Sequence, residues 1–205
     1  MPLTFNGVLD FNIENAMAAC AALIGLNVDY CMISKGFKTF KLDEEHNSGR
    51  FNMYNVDGVN IILDYGHNYE GYKGILESLL KIKTNKIIGV VGIPGDRSDE
   101  NIIRIGELCG EYLDYTIIKE DRDLRGRESG EVAKLINTGL EKDKNNKSMI
   151  ILEEKEALLK AIEISNEGDI VIVFYERLEP LVSMIKKLQD KDNETSKISI
   201  WYRET

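Results

Sequence analysis

From Val59 onward, short apolar runs alternate with stretches whose apolar residues recur every three or four positions. The runs are VNIILD, KIIGVVG, YTIIK, SMIIL and IVIVF, and the periodic stretches lie near 70–83, 99–113, 129–142, 154–166 and 178–189. A continuous apolar run reads as a strand buried on both faces, and the longer period reads as an amphipathic helix. Their alternation predicts βαβ units. The expected fold is therefore α/β, a three-layer α/β/α Rossmann-like arrangement around a mainly parallel sheet, over residues 47–189. The first strand breaks the rule: RFNMYNV and VNIILDY flank Asp57 and Gly58, a dipeptide suited to a two-residue turn, which predicts an antiparallel hairpin at the N-terminal edge.

Residues 1–46 lack the alternation. Asn12 or Asn15 can cap a helix through AMAACAALIG that Gly25 ends, and SKGFKTFK suggests a second short helix followed by a turn. Two short helices bury little surface alone, so they must pack on the α/β unit or belong to a larger domain. Residues 190–205 read as a polar tail: QDKDNETSK has a linker's composition, while ISIWY is strand-like with no assignable partner.

Composition narrows the function classes. The 205 residues are 43% hydrophobic and 30% charged, with a net charge of −9, which argues against a nucleic-acid partner because phosphate-backbone binding needs a basic field. No apolar run reaches the roughly 20 residues that span a bilayer, so no membrane association is expected. Cys20, Cys31 and Cys109 form no CxxC pair; Cys20 and Cys109 sit in apolar helical patterns and read as small buried hydrophobes. A cytoplasmic protein is expected.

In a parallel sheet all strand C-termini share one edge, and loops there carry ligand contacts. VNIIL leads into Asp64, Tyr65, His67 and Asn68; IIGVVG into Pro94, Gly95, Asp96 and Arg97; YTIIK into EDRDLRGRE; IVIVF into Tyr175, Glu176 and Arg177. Any one such loop is as readily a wet salt-bridged surface as a site. GVVGIPGD is neither a dinucleotide fingerprint nor a phosphate loop ending in GK[ST], and its glycines also suit close packing. His67 has no partner at ligand spacing, so no metal site is expected.

Several stretches resemble the ATP-dependent Mur ligase superfamily, whose members join amino acids to carboxylates through an acyl-phosphate. DYGHN resembles that superfamily's DYAHN loop, FNIENAMAACAA the helix closing its central ATPase domain, and SGRFN the link into its C-terminal domain. PLTFNG, GIPGDRSDE and EDRDLRGRESGEV resemble segments of its cyanophycin-synthetase branch, which attaches arginine to aspartate side chains. The likeness runs from Pro2 to about Leu188. It departs at Gly66 and Tyr69, where the family has Ala and Pro, and no GK[ST] loop is present.

The resemblance implies a division into a helical remnant of the central ATPase domain (1–46), a C-terminal α/β domain (47–189) and the tail. It places Asn12 and Asn15 near an adenine, Arg50 at the phosphates and Asp64 at the ribose. It gives His67 and Asn68 an orienting role in catalysis, and has Asp96, Arg97, Asp121, Arg122, Asp123, Arg125 and Arg127 receive the amino acid and an aspartate-rich peptide. Each role has a bland counterpart: Asn12 as a helix cap, or Arg50 paired with Glu44 or Glu45. ATP is the implied cofactor, its Mg2+ held mainly by the ATPase domain, in the same or a neighbouring chain. The chain alone is expected to be inactive. A non-catalytic module that binds nucleotide or amino acid is the alternative, and homo-oligomerisation stays open.

Overall fold

The computed structural model describes residues 4–5, 7–142 and 147–201, with side chains to Asp190. Met1, residues 2–3 and 6 of the PLTFNG stretch, residues 143–146, and 202–205 of the tail lie outside the described residues. Two helices, α1 (Phe11–Gly25) and α2 (Tyr30–Thr39), precede six strands: β1 (Asn52–Val56), β2 (Val59–Asp64), β3 (Ile87–Val91), β4 (Tyr115–Ile118), β5 (Lys147–Ile150) and β6 (Ile170–Phe174). Between and after them run α3 (Tyr69–Leu79), α4 (Asp99–Tyr112), α5 (Glu131–Leu140), α6 (Glu154–Ile164) and α7 (Leu178–Trp201).

The strands form one sheet in the order β1-β2-β6-β3-β4-β5. All adjacent pairs are parallel except β1 with β2, which are antiparallel with Val56 opposite Val59. Asp57 and Gly58 both have positive φ, 49° and 79°, the conformation a tight hairpin turn requires. Side chains alternate across the sheet. Ile62 and Ile172 face a core closed by α3, α4 and α5, whereas Ile61, Leu63, Val171 and Val173 face one closed by α6 and α7. The three-layer expectation holds, and β6 inserts between β2 and β3 so that the ends of β2, β6, β3 and β4 stand side by side.

Some boundaries differ from the sequence reading. Helix α1 begins after Asp10, whose side chain makes no cap hydrogen bond; Asn12 and Asn15 lie inside its first turns rather than at the cap position. Helix α2 starts earlier than SKGFKTFK suggested, because the Asp29 carboxylate accepts from the Cys31 N–H at 2.8 Å. At the other end the expected linker and strand are both wrong: α7 runs on through QDKDNETSK to Trp201, since this polar stretch contains neither glycine nor proline to stop a helix. Of the cysteines, Cys109 is buried, Cys20 only half-buried and Cys31 exposed, so the buried reading fails for Cys20.

The α1–α2 segment packs on α3. Phe11 lies against Gly74, and Lys81 Nζ donates to Asp10 Oδ2 at 2.6 Å and to the Val8 carbonyl at 3.3 Å. Only Ala16 and Ile33 of the two helices are buried, while Ile13, Met17, Ile24, Tyr30 and Met32 are exposed. No helix among the described residues is long and apolar enough to cross a membrane.

Candidate functional site

A hollow of about 420 Å³ opens where α1, the 47–51 link, the end of β2 and the first turns of α3 meet. Asn12, Asn15, Arg50 and Asp64, drawn from three stretches of sequence, all line it, with Phe11, Leu42 and Ile75 as apolar wall. The fold therefore brings together the four residues that sequence reasoning grouped.

Asp64 ends β2 and is only 5% exposed. Its Oδ2 accepts from the Phe51 N–H at 2.9 Å. Burial pushes its carboxyl up to about 6, against the pull of the Phe51 N–H, the Arg50 charge and the Gly66 N–H. Near neutral pH it is largely an ionised acceptor. The Asn15 amide donates to Asn12 Oδ1 at 3.1 Å, and the Arg50 guanidinium lies 5.3 Å from the centroid of the Tyr65 ring. Arg50 does not use Glu44, which pairs with Lys186 at 2.8 Å. Two amides suit a purine edge, a buried carboxylate suits hydroxyl donors, and a guanidinium suits phosphate.

His67 and Asn68 lie beside this hollow rather than in it. His67 Nδ1 is 3.2 Å from the Tyr65 carbonyl, and its ring stands 5.3 Å from that of Tyr65, which in turn meets Tyr175 at 5.6 Å. Asn68 Oδ1 accepts from the Gly71 N–H at 2.8 Å and so caps α3. Asn68 also lines a second hollow, of about 320 Å³, with Arg97 and Asn101. Glu70 borders both hollows, which makes them neighbours along the sheet edge.

The charged loop after β4 is bonded largely to its neighbours along the sheet edge. Arg127 donates Nε–H to the Gly95 carbonyl at 2.7 Å, Nη2–H to the Arg97 carbonyl and to Asp99, each at 2.7 Å, and Nη1–H to Glu131 at 2.5 Å. It thereby stitches the loop after β3 to the loop after β4. Arg125 donates to Asp96 at 2.7 Å, Arg97 stands 3.4 Å from the same carboxylate, and the Asp123 carboxylate accepts from the Arg125 N–H. Both Asp96 and Arg125 are exposed, and the Arg125 hydrogen bond holds the Asp96 carboxyl below its usual range. The Arg122 N–H donates to Glu176 at 3.0 Å, joining this loop to the end of β6.

Sequence reasoning passed over the deepest charge in this region. Lys119, 1% exposed, lies 2.7 Å from Asp121 and 3.0 Å from Glu154, whose carboxylate also accepts from the Glu176 N–H at 2.6 Å. A buried ammonium persists only when paired like this. The signal was a lysine closing the apolar strand YTII directly before an acidic loop; its partner Glu154 carries no local signal.

Comparison with known proteins fits this architecture. The family model "Mur ligase, glutamate ligase domain" matches residues 49–174. The cyanophycin synthetase of Crocosphaera subtropica is 37% identical over 189 residues, covering 91% of this chain and 21% of its own length. A UDP-N-acetylmuramoyl-L-alanyl-D-glutamate–2,6-diaminopimelate ligase of Clostridioides difficile is 29% identical over 164 residues, covering 80% of this chain and 33% of itself. Among solved structures, E. coli FolC in complex with ADP superposes with a TM-score of 0.61 at 20% identity, over 87% of this chain and 40% of that one. The chain thus spans about a fifth of the cyanophycin synthetase it matches and a third of the diaminopimelate ligase. With the model covering most of the α/β unit, from the link to the end of β6, the chain belongs to the Mur ligase glutamate ligase domain family.

Proposed function

We propose that this chain is the C-terminal, nucleotide-closing and amino-acid-accepting domain of an ATP-dependent amide ligase acting as cyanophycin synthetase does, joining arginine to aspartate side-chain carboxylates. The observation that carries the reading is the convergence of Asn12, Asn15, Arg50 and Asp64 on one hollow of about 420 Å³. Its donors and acceptors fit the base, ribose and phosphate of an adenine nucleotide, and its identity to a cyanophycin synthetase supports the choice of substrate.

In this reading Asp64 accepts from the ribose hydroxyls, Arg50 neutralises phosphate, and Asn12 and Asn15 meet the base. ATP supplies the phosphoryl group that activates the carboxylate, and its Mg2+ is held by an ATPase domain outside this chain. His67 and Asn68 orient the groups between the two hollows. Arg97, Arg122, Asp123 and Arg125 are the exposed or half-exposed charges that receive the amino acid and the aspartate-rich peptide. Asp96, Asp121 and Arg127 act in the same surface and hold it in shape. What the domain contributes is orientation and exclusion of water, the entropic part of catalysis. Residues 1–46 would pack, through the exposed apolar side chains of α1 and α2, against the remainder of that ATPase domain.

The test has two arms. The purified chain, given ATP, arginine and aspartate-rich peptide, should form no amide, whereas the chain joined to a protein carrying a GK[ST] phosphate loop from the same locus should do so. ADP release coupled to amide formation by the chain alone would overturn the first expectation. Failure of the joined proteins to ligate arginine, with another amino acid accepted instead, would overturn the substrate.

A further inference from the structure

The link between α2 and β1 is held in an unusual conformation. Gly49 has φ of 75° and Phe51 φ of 51°, and a bulky non-glycine residue adopts the left-handed region only when its surroundings compel it. Three side chains supply that compulsion. Asn52 Oδ1 accepts from the Gly49 N–H at 2.6 Å, Asp64 Oδ2 accepts from the Phe51 N–H at 2.9 Å, and the Tyr175 hydroxyl donates to the Gly49 carbonyl at 3.0 Å. Asn52 is a near neighbour in sequence; Tyr175 reaches the turn from the end of β6, 126 residues away. Between Gly49 and Phe51 stands Arg50, whose guanidinium lies over the Tyr65 ring, and that ring meets Tyr175 itself.

We propose that Tyr175 is a positioning residue: by holding the Gly49 carbonyl, it fixes the strained turn that aims Arg50 into the hollow lined by Asn12, Asn15 and Asp64. A phosphate-bearing ligand then meets a guanidinium already in place, so less side-chain ordering opposes binding. The hydroxyl is suited to the task because burial pushes its ionisation up to about 12, leaving it a donor at any physiological pH. The turn also has no slack. A Cβ at Gly49 would lie 1.8 Å from the Tyr175 hydroxyl oxygen, so no other residue fits while the bond is made. The functional half of the proposal rests on the hollow being a nucleotide site; the geometric half does not.

The experiment compares the full chain with Tyr175→Phe, which keeps the ring and removes the donor, and with Gly49→Ala, which displaces the ring. The first readout is the Arg50 side-chain Nε–Hε resonance, identified by its loss in Arg50→Lys. It should be shifted by the Tyr65 ring current in the parent and return toward the free-arginine position in both variants, while the amides of β3 and β4 stay put. An unmoved resonance in Tyr175→Phe would overturn the proposal; if that variant fails to fold, an unmoved resonance in Gly49→Ala would do so. The second readout is ADP affinity, expected to fall about five- to tenfold in Tyr175→Phe, with no further loss in the double variant with Arg50→Ala than in Arg50→Ala alone. Parent-like ADP affinity in Tyr175→Phe would also overturn it. If ADP does not bind the parent chain, the nucleotide reading fails, and the Arg50 resonance alone decides whether Tyr175 holds the turn.

Discussion

At the end of β2, Asp64 is buried behind two backbone donors with an open hollow before it, and Arg50 above that hollow touches a ring rather than a carboxylate. After β4 the charges are denser, yet Arg127 spends four of its five N–H donors on the neighbouring loop and on Glu131. Both regions stand at the same sheet edge. The difference teaches that charge density does not mark a site: donors already satisfied hold a loop in shape, while a buried acceptor that borders a hollow is set for a ligand. Within the charged loop the same test separates Arg127 from the exposed Arg122 and Arg125.

Truncating Arg127 should break the comparison most visibly. Arg127→Ala leaves the Gly95 and Arg97 carbonyls without their donor, at roughly 1 kcal/mol each, and loses contacts to the exposed Asp99 and Glu131 carboxylates worth about 0.5 kcal/mol each, so it should destabilise the chain by about 3 kcal/mol in chemical denaturation. A change near zero would make Arg127 a surface charge free for ligand.

Asp64→Asn should come next, through pH. Because the folded carboxyl titrates near 6 and the unfolded one near 3.8, the folded state binds more protons between those values, and stability falls as pH rises through that window. The parent should therefore lose on the order of 2 kcal/mol from pH 4 to pH 6.5 through this group. In the Asn variant, which can still accept from the Phe51 N–H, that slope should flatten. An unchanged slope would mean that Asp64 is not the buried titrating group.

Arg50→Ala should leave stability unaltered and weaken ADP binding about tenfold, roughly 1.4 kcal/mol, the contribution of one charge-assisted contact. Isothermal titration of parent and variant reads this directly. Equal affinities would remove Arg50 from the site.

The smallest effect is expected at Arg125. Its partner Asp96 is exposed and its own φ is 50°, so Arg125→Gly should cost no measurable stability, the lost ion pair being offset by relief of a left-handed backbone. In the joined ligase, the same change should instead raise the KM for arginine or peptide tenfold or more, because the proposed function makes the guanidinium a substrate contact there. Unchanged constants for both substrates would return the residue to surface pairing.

Much of this was readable from the chain. The apolar runs and the Asp-Gly turn gave strand order of appearance, direction and the edge hairpin, because period and turn chemistry are local properties. Placement of β6 between β2 and β3 was not local and could not be read. Grouping Asn12, Asn15, Arg50 and Asp64 came from resemblance, since nothing in their spacing says that α1, the link and the end of β2 meet. Lys119 escaped because its meaning depends on Glu154, a residue that reads as an ordinary first-turn helix carboxylate. The polar tail was misread because composition alone does not separate a solvated helix from a linker.

The central claim is that the hollow beside Asp64, and not the charged loop after β4, takes the nucleotide. Titrating ADP into the isotope-labelled chain while following side-chain amide and arginine Nε–Hε resonances tests it most directly. The account predicts saturable shifts at the Asn12 and Asn15 amides and at Arg50, with Arg125 and Arg127 unmoved. Shifts confined to Arg97, Arg125 and Arg127, or none at millimolar ADP, would contradict it.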